Sequence, residues 1–69
     1  MAGKYQTPIQ KNRKKKGLTQ MEVAAAVGIS HRHYQGIEVY RIKPGVLIGI
    51  KIAIVLRSSV ETLWHDCLE

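Results

Sequence analysis

Four side chains that could bind a metal or carry nucleophilic chemistry stand in two close pairs, His31 with His33 and His65 with Cys67. A tetrahedral zinc site would need all four. Ligands two apart on a helix point in different directions, and neither pair has a spacing typical of metal ligands. No metal, no cofactor and no enzymatic activity are therefore expected. The segment around the first pair offers something else: Ser30, His31, Arg32 and Gln35 are hydrogen-bonding and partly cationic side chains within six residues.

Eleven Lys and Arg against five Asp and Glu give the 69-residue chain a formal net charge of +6. On so small a surface this creates a positive potential able to steer polyanions, and nucleic acid is the first expectation. The densest basic run, Lys11, Lys14, Lys15 and Lys16, reads mainly as a solvated helix face that adds nonspecific attraction. A single cysteine excludes an intrachain disulfide, and no secretion signal is legible, so a cytoplasmic protein is expected. The most apolar stretch, 46–56, is interrupted by Lys51 and falls short of the ~20 residues that a membrane helix needs.

The elements that must position these residues are short. A chain of this length forms one domain, burying only about 60% of the surface it would expose unfolded. Residues 1–6 read as a flexible tail and 7–69 as the domain. Apolar residues make up 45% of the chain with no Phe, so the core has to come from Ile, Leu, Val and Ala with a few Tyr and one Trp.

Thr7-Pro8-Ile9-Gln10 combines a hydroxyl cap, a proline at the first helical position and a glutamine able to reach back to the cap. This predicts helix 1 to about Lys16, ended by Gly17. Thr19-Gln20-Met21-Glu22 is a second capping box. It opens helix 2, with Met21, Val23, Ala24 and Val27 at buried spacing and Gly28 as the stop. Ser30 caps helix 3, about His31 to Val39, whose inward residues are Tyr34 and Ile37 and whose outward ones include His31, Arg32, Gln35 and Gly36. Helices 2 and 3 joined by a tight glycine turn have helix-turn-helix geometry. Residues 46–56 alternate as a strand would, but a lone strand has no partner within this chain, so helix 4 is expected, with a strand paired across a dimer as the competing possibility. Ser58 or Ser59 caps a last helix with Val60, Leu63 and Trp64, where Trp64 closes the core.

The segments NRKKKGLTQMEVAAAVGIS, QGIE and IAIVL resemble the Cro and phage-repressor type of helix-turn-helix regulators, the XRE family. The features in register are Arg13, GLTQ at 17–20, Ala24, GIS at 28–30, Ile37-Glu38, Pro44, Ile52-Ala53 and Leu56, spread over about residues 9–64. The resemblance implies an all-α, five-helix, lambda-repressor-like domain that binds roughly two-fold operators as a dimer and regulates transcription, most often as a repressor. The chain departs from the pattern at three places. Asn12 replaces an apolar helix-1 residue, Tyr40 stands where a glycine commonly ends helix 3, and Gly49 replaces a helix-4 leucine, which implies a less well-filled core.

Residue roles follow from the matched positions. The resemblance pairs Arg13 with Glu38 as an ion bridge from helix 1 to the end of helix 3. It places Gln20, at the start of helix 2, on a phosphate. Ser30, His31, Arg32, Gln35 and Gly36 map to the recognition helix: Arg32 can fork onto guanine O6 and N7, Gln35 can pair with an adenine or a phosphate, and His31 can donate to a purine acceptor. Ser30 is expected at a phosphate, and Gly36 to let the backbone approach one. Arg41 and Lys43, after helix 3, are also expected on phosphates.

Helix 4 is richer in apolar residues than one core needs. With Val46, Ile52, Ala53 and Leu56 assigned to the core, Leu47, Ile48, Ile50, Ile54 and Val55 are surplus, and with Trp64 they read as a homodimer interface. Two recognition helices would then sit about 34 Å apart. An antitoxin or another protein-binding module of the same fold is the rival reading. No small-molecule ligand and no membrane partner are expected.

Overall fold

The computed structural model describes residues 6–65. The predicted N-terminal tail therefore lies, but for Gln6, outside the described residues, as do Cys67 and the rest of 66–69. Five helices follow one another: α1 Pro8–Lys15, α2 Gln20–Val27, α3 His31–Glu38, α4 Val46–Val55 and α5 Val60–Leu63. No strand occurs among the described residues.

The caps explain where the helices begin. Thr7 and Gln10 close one reciprocal capping box, each accepting the other's backbone N–H at 3.2 Å. Thr19 and Glu22 close another, at 3.0 and 2.8 Å. Ser30 accepts the His33 amide at 3.0 Å and Ser59 the Thr62 amide at 3.1 Å, so α3 and α5 are capped by single hydroxyls. Each such cap satisfies an amide that would otherwise lack an intrahelical acceptor. Gly28, at φ 89°, ends α2 in the left-handed region and sends the chain sharply into α3.

α2 packs on α3 and α4, while α1 and α4 each pack on α5. The shared core is Ile9, Val23, Ala24, Val27, Tyr34, Ile37, Ile52, Ala53, Leu56 and Leu63, with Leu18, Ile29, Tyr40, Ile48, Val55 and Trp64 partly buried against it. The strand-like alternation in 46–56 resolves as helix. Gly49, Ile52, Ala53 and Leu56 recur at three- and four-residue intervals on the buried side of α4.

Two expected core residues are outside it. Met21 is 65% exposed, because the buried arc of α2 runs through Gln20, Val23, Ala24 and Val27. The polar Gln20 takes the place by hydrogen-bonding inward. Val46 is 78% exposed. It lies in the same angular direction as Ala53 but two turns nearer the helix start, where nothing covers it, and Gly49 occupies the core position instead. Trp64 only half closes the core. A Cβ at Gly49 would stand 3.9 Å from both the Trp64 ring and Pro44, and an open groove of about 430 Å³ runs beside them between Tyr40, Ile42, Ile50 and Val60. The volume that a leucine would fill at position 49 is thus part of a surface groove.

α3 ends without a glycine. Tyr40 adopts φ 64°, a left-handed conformation that costs a non-glycine residue about 1–2 kcal/mol. The side chain explains why it persists: the Tyr40 ring is partly buried, and its hydroxyl donates to the Leu63 carbonyl at 2.5 Å. The departure at Tyr40 therefore ties the exit of α3 to α5.

Candidate nucleic-acid interface

The outward side of α3 begins at its capped N-terminus, where His31 and Arg32 are exposed and Gln35 follows one turn later. Tyr34 and Ile37, on the opposite side, are fully buried and lock the helix onto the core. The helix therefore has one immobilised face and one face of hydrogen-bonding side chains. Ser30, also exposed, has its hydroxyl engaged with the His33 amide.

Beneath this face lies a buried polar network centred on Glu38, which has no exposed surface. Its Oε2 accepts from Arg13 Nε at 2.5 Å and from the Tyr34 hydroxyl at 2.9 Å. Its Oε1 accepts from Gln20 Nε2 at 2.7 Å. Arg13 also donates through Nη1 to the Leu18 carbonyl at 2.8 Å, and the Thr7 hydroxyl donates to the Glu38 carbonyl at 2.7 Å. Every buried side-chain polar atom among the described residues has a partner. A buried ion pair contributes little net stability, because desolvation offsets most of its attraction. Here its geometric effect is to join α1, α2 and the end of α3 at one carboxylate. Burial, and then the negative charge of Glu38, push the Tyr34 phenol well above its ordinary pKa.

The network continues to the surface through Gln20. With its amide nitrogen on Glu38, Gln20 directs Oε1 outward, where His31 Nε2 lies at 3.1 Å and Gln35 Nε2 donates at 3.2 Å. Gln20, His31 and Gln35 thus form one cluster across the α2–α3 turn. Arg41 and Lys43 are exposed on the loop after α3.

One expected site residue has a different place. Gly36 is buried, and a Cβ built there would clash with Ile42 Cδ1 and stand 2.8 Å from its Cγ1. The close approach that this glycine permits is to the chain's own loop, whose Arg41 and Ile42 amides donate to the Gly36 carbonyl at 2.8 and 3.0 Å. The residue is therefore removed from the phosphate-facing set. Of the expected interface residues, Leu47, Ile50 and Ile54 are exposed, whereas Ile48, Val55 and Trp64 are partly buried against the core. Among the described residues no group of three or more His, Cys, Asp or Glu side chains is placed to hold a metal. The fourth member of the set weighed for zinc, Cys67, is outside them.

Sequence reasoning missed Thr7, Tyr34 and Leu18 as partners in the Glu38 network. Tyr34 was accessible in principle, since it stands four residues before Glu38 on the same helix face. Asn12, an apolar position in the resembled pattern, donates to the Pro8 carbonyl at 2.9 Å one turn back.

Residues 9–63 match the helix-turn-helix family HTH_3. No curated protein matches the chain. Among solved structures, the chain is similar to the N-terminal DNA-binding domain of SinR from Bacillus subtilis, with 31% identity and a TM-score of 0.73 over 88% of this chain and 90% of that one. It is also similar to SinR, the master regulator for biofilm formation, in complex with DNA, with 32% identity and a TM-score of 0.70 over 80% and 89% of the two chains. An HTH_3 family transcriptional regulator from Vibrio cholerae is 25% identical with a TM-score of 0.69, and the match covers 86% of this chain but 33% of that one.

Proposed function

Because the chain belongs to the HTH_3 helix-turn-helix family, of the Cro and repressor type, we propose that it is a sequence-specific, double-stranded-DNA-binding regulator of transcription that inserts α3 into the major groove. The observation that carries this is the α3 surface itself. His31, Arg32 and Gln35 are exposed on a helix whose other face is locked by Tyr34, Ile37 and the Glu38 network. Arg32, long and exposed, has the fork that reads guanine O6 and N7, and Gln35 can meet adenine N6 and N7. The activity is binding rather than catalysis, with no cofactor, and it operates in the cytoplasm where the DNA is.

Phosphates set the register of the complex. The first-turn amides of α2, at Gln20 and Met21, have no intrahelical acceptor, and the helix dipole favours an anion there. The Gln20 side chain is already shared among Glu38, His31 and Gln35, so its contribution to a phosphate is through the remaining amide hydrogen and the backbone. Ser30, Arg41 and Lys43 supply further phosphate contacts, which position the protein without reading sequence.

One domain of 32 × 27 × 21 Å carries one recognition helix. A two-fold operator calls for a second copy, and the exposed apolar side of α4 supports a homodimer built on it. Leu47 and Ile54, 74% and 68% exposed, are the residues whose burial such an interface would accomplish. A repressor that occupies its operator as this dimer is the resulting reading.

Selection of bound duplexes from a random pool, followed by titration of the preferred site, tests the proposal. Arg32→Ala should weaken the preferred site by about 1–3 kcal/mol and relax discrimination at one base pair. Arg41→Ala or Lys43→Ala should weaken all duplexes alike and lower the salt slope by about 1. Undiminished, sequence-selective binding by Arg32→Ala would remove α3 as the reading element.

A further inference from the structure

The Glu38 network determines which atoms of the reading face donate and which accept. A carboxylate paired with Arg13 only accepts, so the Gln20 atom 2.7 Å from Glu38 Oε1 must be the amide nitrogen. That choice turns the Gln20 carbonyl oxygen toward His31 Nε2 at 3.1 Å and Gln35 Nε2 at 3.2 Å. A carbonyl oxygen also only accepts, so both nitrogens must carry hydrogen. In a neutral imidazole with hydrogen on Nε2, Nδ1 is bare. His31 is exposed, and its Nδ1 has no hydrogen-bond partner among the described residues.

Building on the DNA-binding reading, we infer that neutral His31 is a specificity-determining acceptor, whose Nδ1 selects an exocyclic amino group, adenine N6 or cytosine N4, on the contacted strand. This reverses the expectation that His31 donates to a purine. Guanine offers only N7 and O6 acceptors at its major-groove edge and is disfavoured by a bare Nδ1. Gln20 acts here as a positioning residue, and Glu38 acts through it. Gln35 is oriented by the same oxygen, which leaves its own carbonyl oxygen and one N–H for a base.

Two measurements on the full chain decide this. Nitrogen-15 NMR of the histidine rings at pH 8, without DNA, should show His31 with its proton on Nε2, and Gln20→Ala should let the two tautomers interconvert. In the selected duplex, the His31 position is the one whose preference disappears in His31→Ala. There, replacing the preferred base by an analogue without its amino group should weaken the unsubstituted protein roughly five- to hundredfold and leave His31→Ala unaffected. His31→Lys, which can only donate, should shift the choice to guanine at every pH. A proton on Nδ1 of the neutral ring, guanine preferred at pH 8, or no change in base preference on removing the ring would each overturn the inference while the DNA-binding reading stands. Failure to bind any duplex would overturn both.

Discussion

Ile42 lies across Gly36: the isoleucine side chain occupies the space in which any larger residue at position 36 would put its Cβ, and the Ile42 amide donates to the Gly36 carbonyl at 3.0 Å. The loop carrying Arg41 and Lys43 is held to α3 by this contact. Alanine at position 36 would gain about 1 kcal/mol of helix propensity but overpack against Ile42 by about 1–3 kcal/mol. Gly36→Ala is expected to destabilise the fold, and Ile42→Ala in the same chain to restore part of the loss. A double-mutant cycle by urea unfolding measures the coupling, and additivity of the two changes would contradict the contact.

The Arg13–Glu38 pair predicts an order of damage. Arg13→Ala leaves a fully buried carboxylate with two neutral donors, from Tyr34 and Gln20. Breaking such a pair costs about 3–5 kcal/mol, comparable to the whole stability of a small domain. Glu38→Ala leaves a guanidinium that retains the Leu18 carbonyl and some exposure to solvent, so it is expected to cost less. Circular dichroism of the two variants should find Arg13→Ala the more unfolded.

Tyr34 should give the domain an alkaline limit. Its folded-state pKa is raised above the unfolded value of about 10, so the unfolded chain releases the phenolic proton first. The contribution of this group is fully present below pH 10 and is lost as pH climbs from there toward the folded value. Tyr34→Phe removes the hydrogen bond to Glu38, costing about 1–2 kcal/mol near neutrality. Above pH 10 the gap between the parent and Tyr34→Phe should narrow, which urea titrations at pH 8 and pH 11 would reveal. A constant gap would place the phenol in water.

Arg57, at φ 53° and exposed after α4, holds a left-handed conformation. Glycine there relieves about 1–2 kcal/mol of strain and adds about 0.5–1 kcal/mol of unfolded-state entropy cost. Arg57→Gly is expected to raise thermal stability slightly, whereas Tyr40→Gly is expected to lower it, because the Tyr40 ring packs on the core and its hydroxyl holds Leu63. Thermal melts of the two variants should therefore move in opposite directions.

The α4 surface can be tested apart from DNA. Leu47→Glu with Ile54→Glu alters exposed positions only, so the fold should remain while self-association is lost. Sedimentation equilibrium should then report a monomer, with operator affinity falling steeply and single-site phosphate contacts retained. A monomeric parent protein would remove the homodimer from the functional reading.

Local chemistry was enough to place the helices. Two capping boxes, two capping serines and the glycine after α2 act within four residues of themselves, so Thr7, Thr19, Ser30, Ser59 and Gly28 declare element ends without reference to the rest of the chain. The exposed side of α3 was legible for the same reason, since His31, Arg32 and Gln35 leave one side of a short amphipathic helix whose other side is Tyr34 and Ile37. What only the tertiary structure decided are relations between distant residues. Gly36 looked outward until Ile42 folded over it, Val46 looked inward until α4 began too early for it to reach the core, and the orientation of the Gln20 amide was undetermined until Glu38 took its nitrogen. Periodicity reports which residues share a face, but not what the face meets. The direction of a hydrogen bond across 18 residues depends on which acceptor the fold brings to the other end.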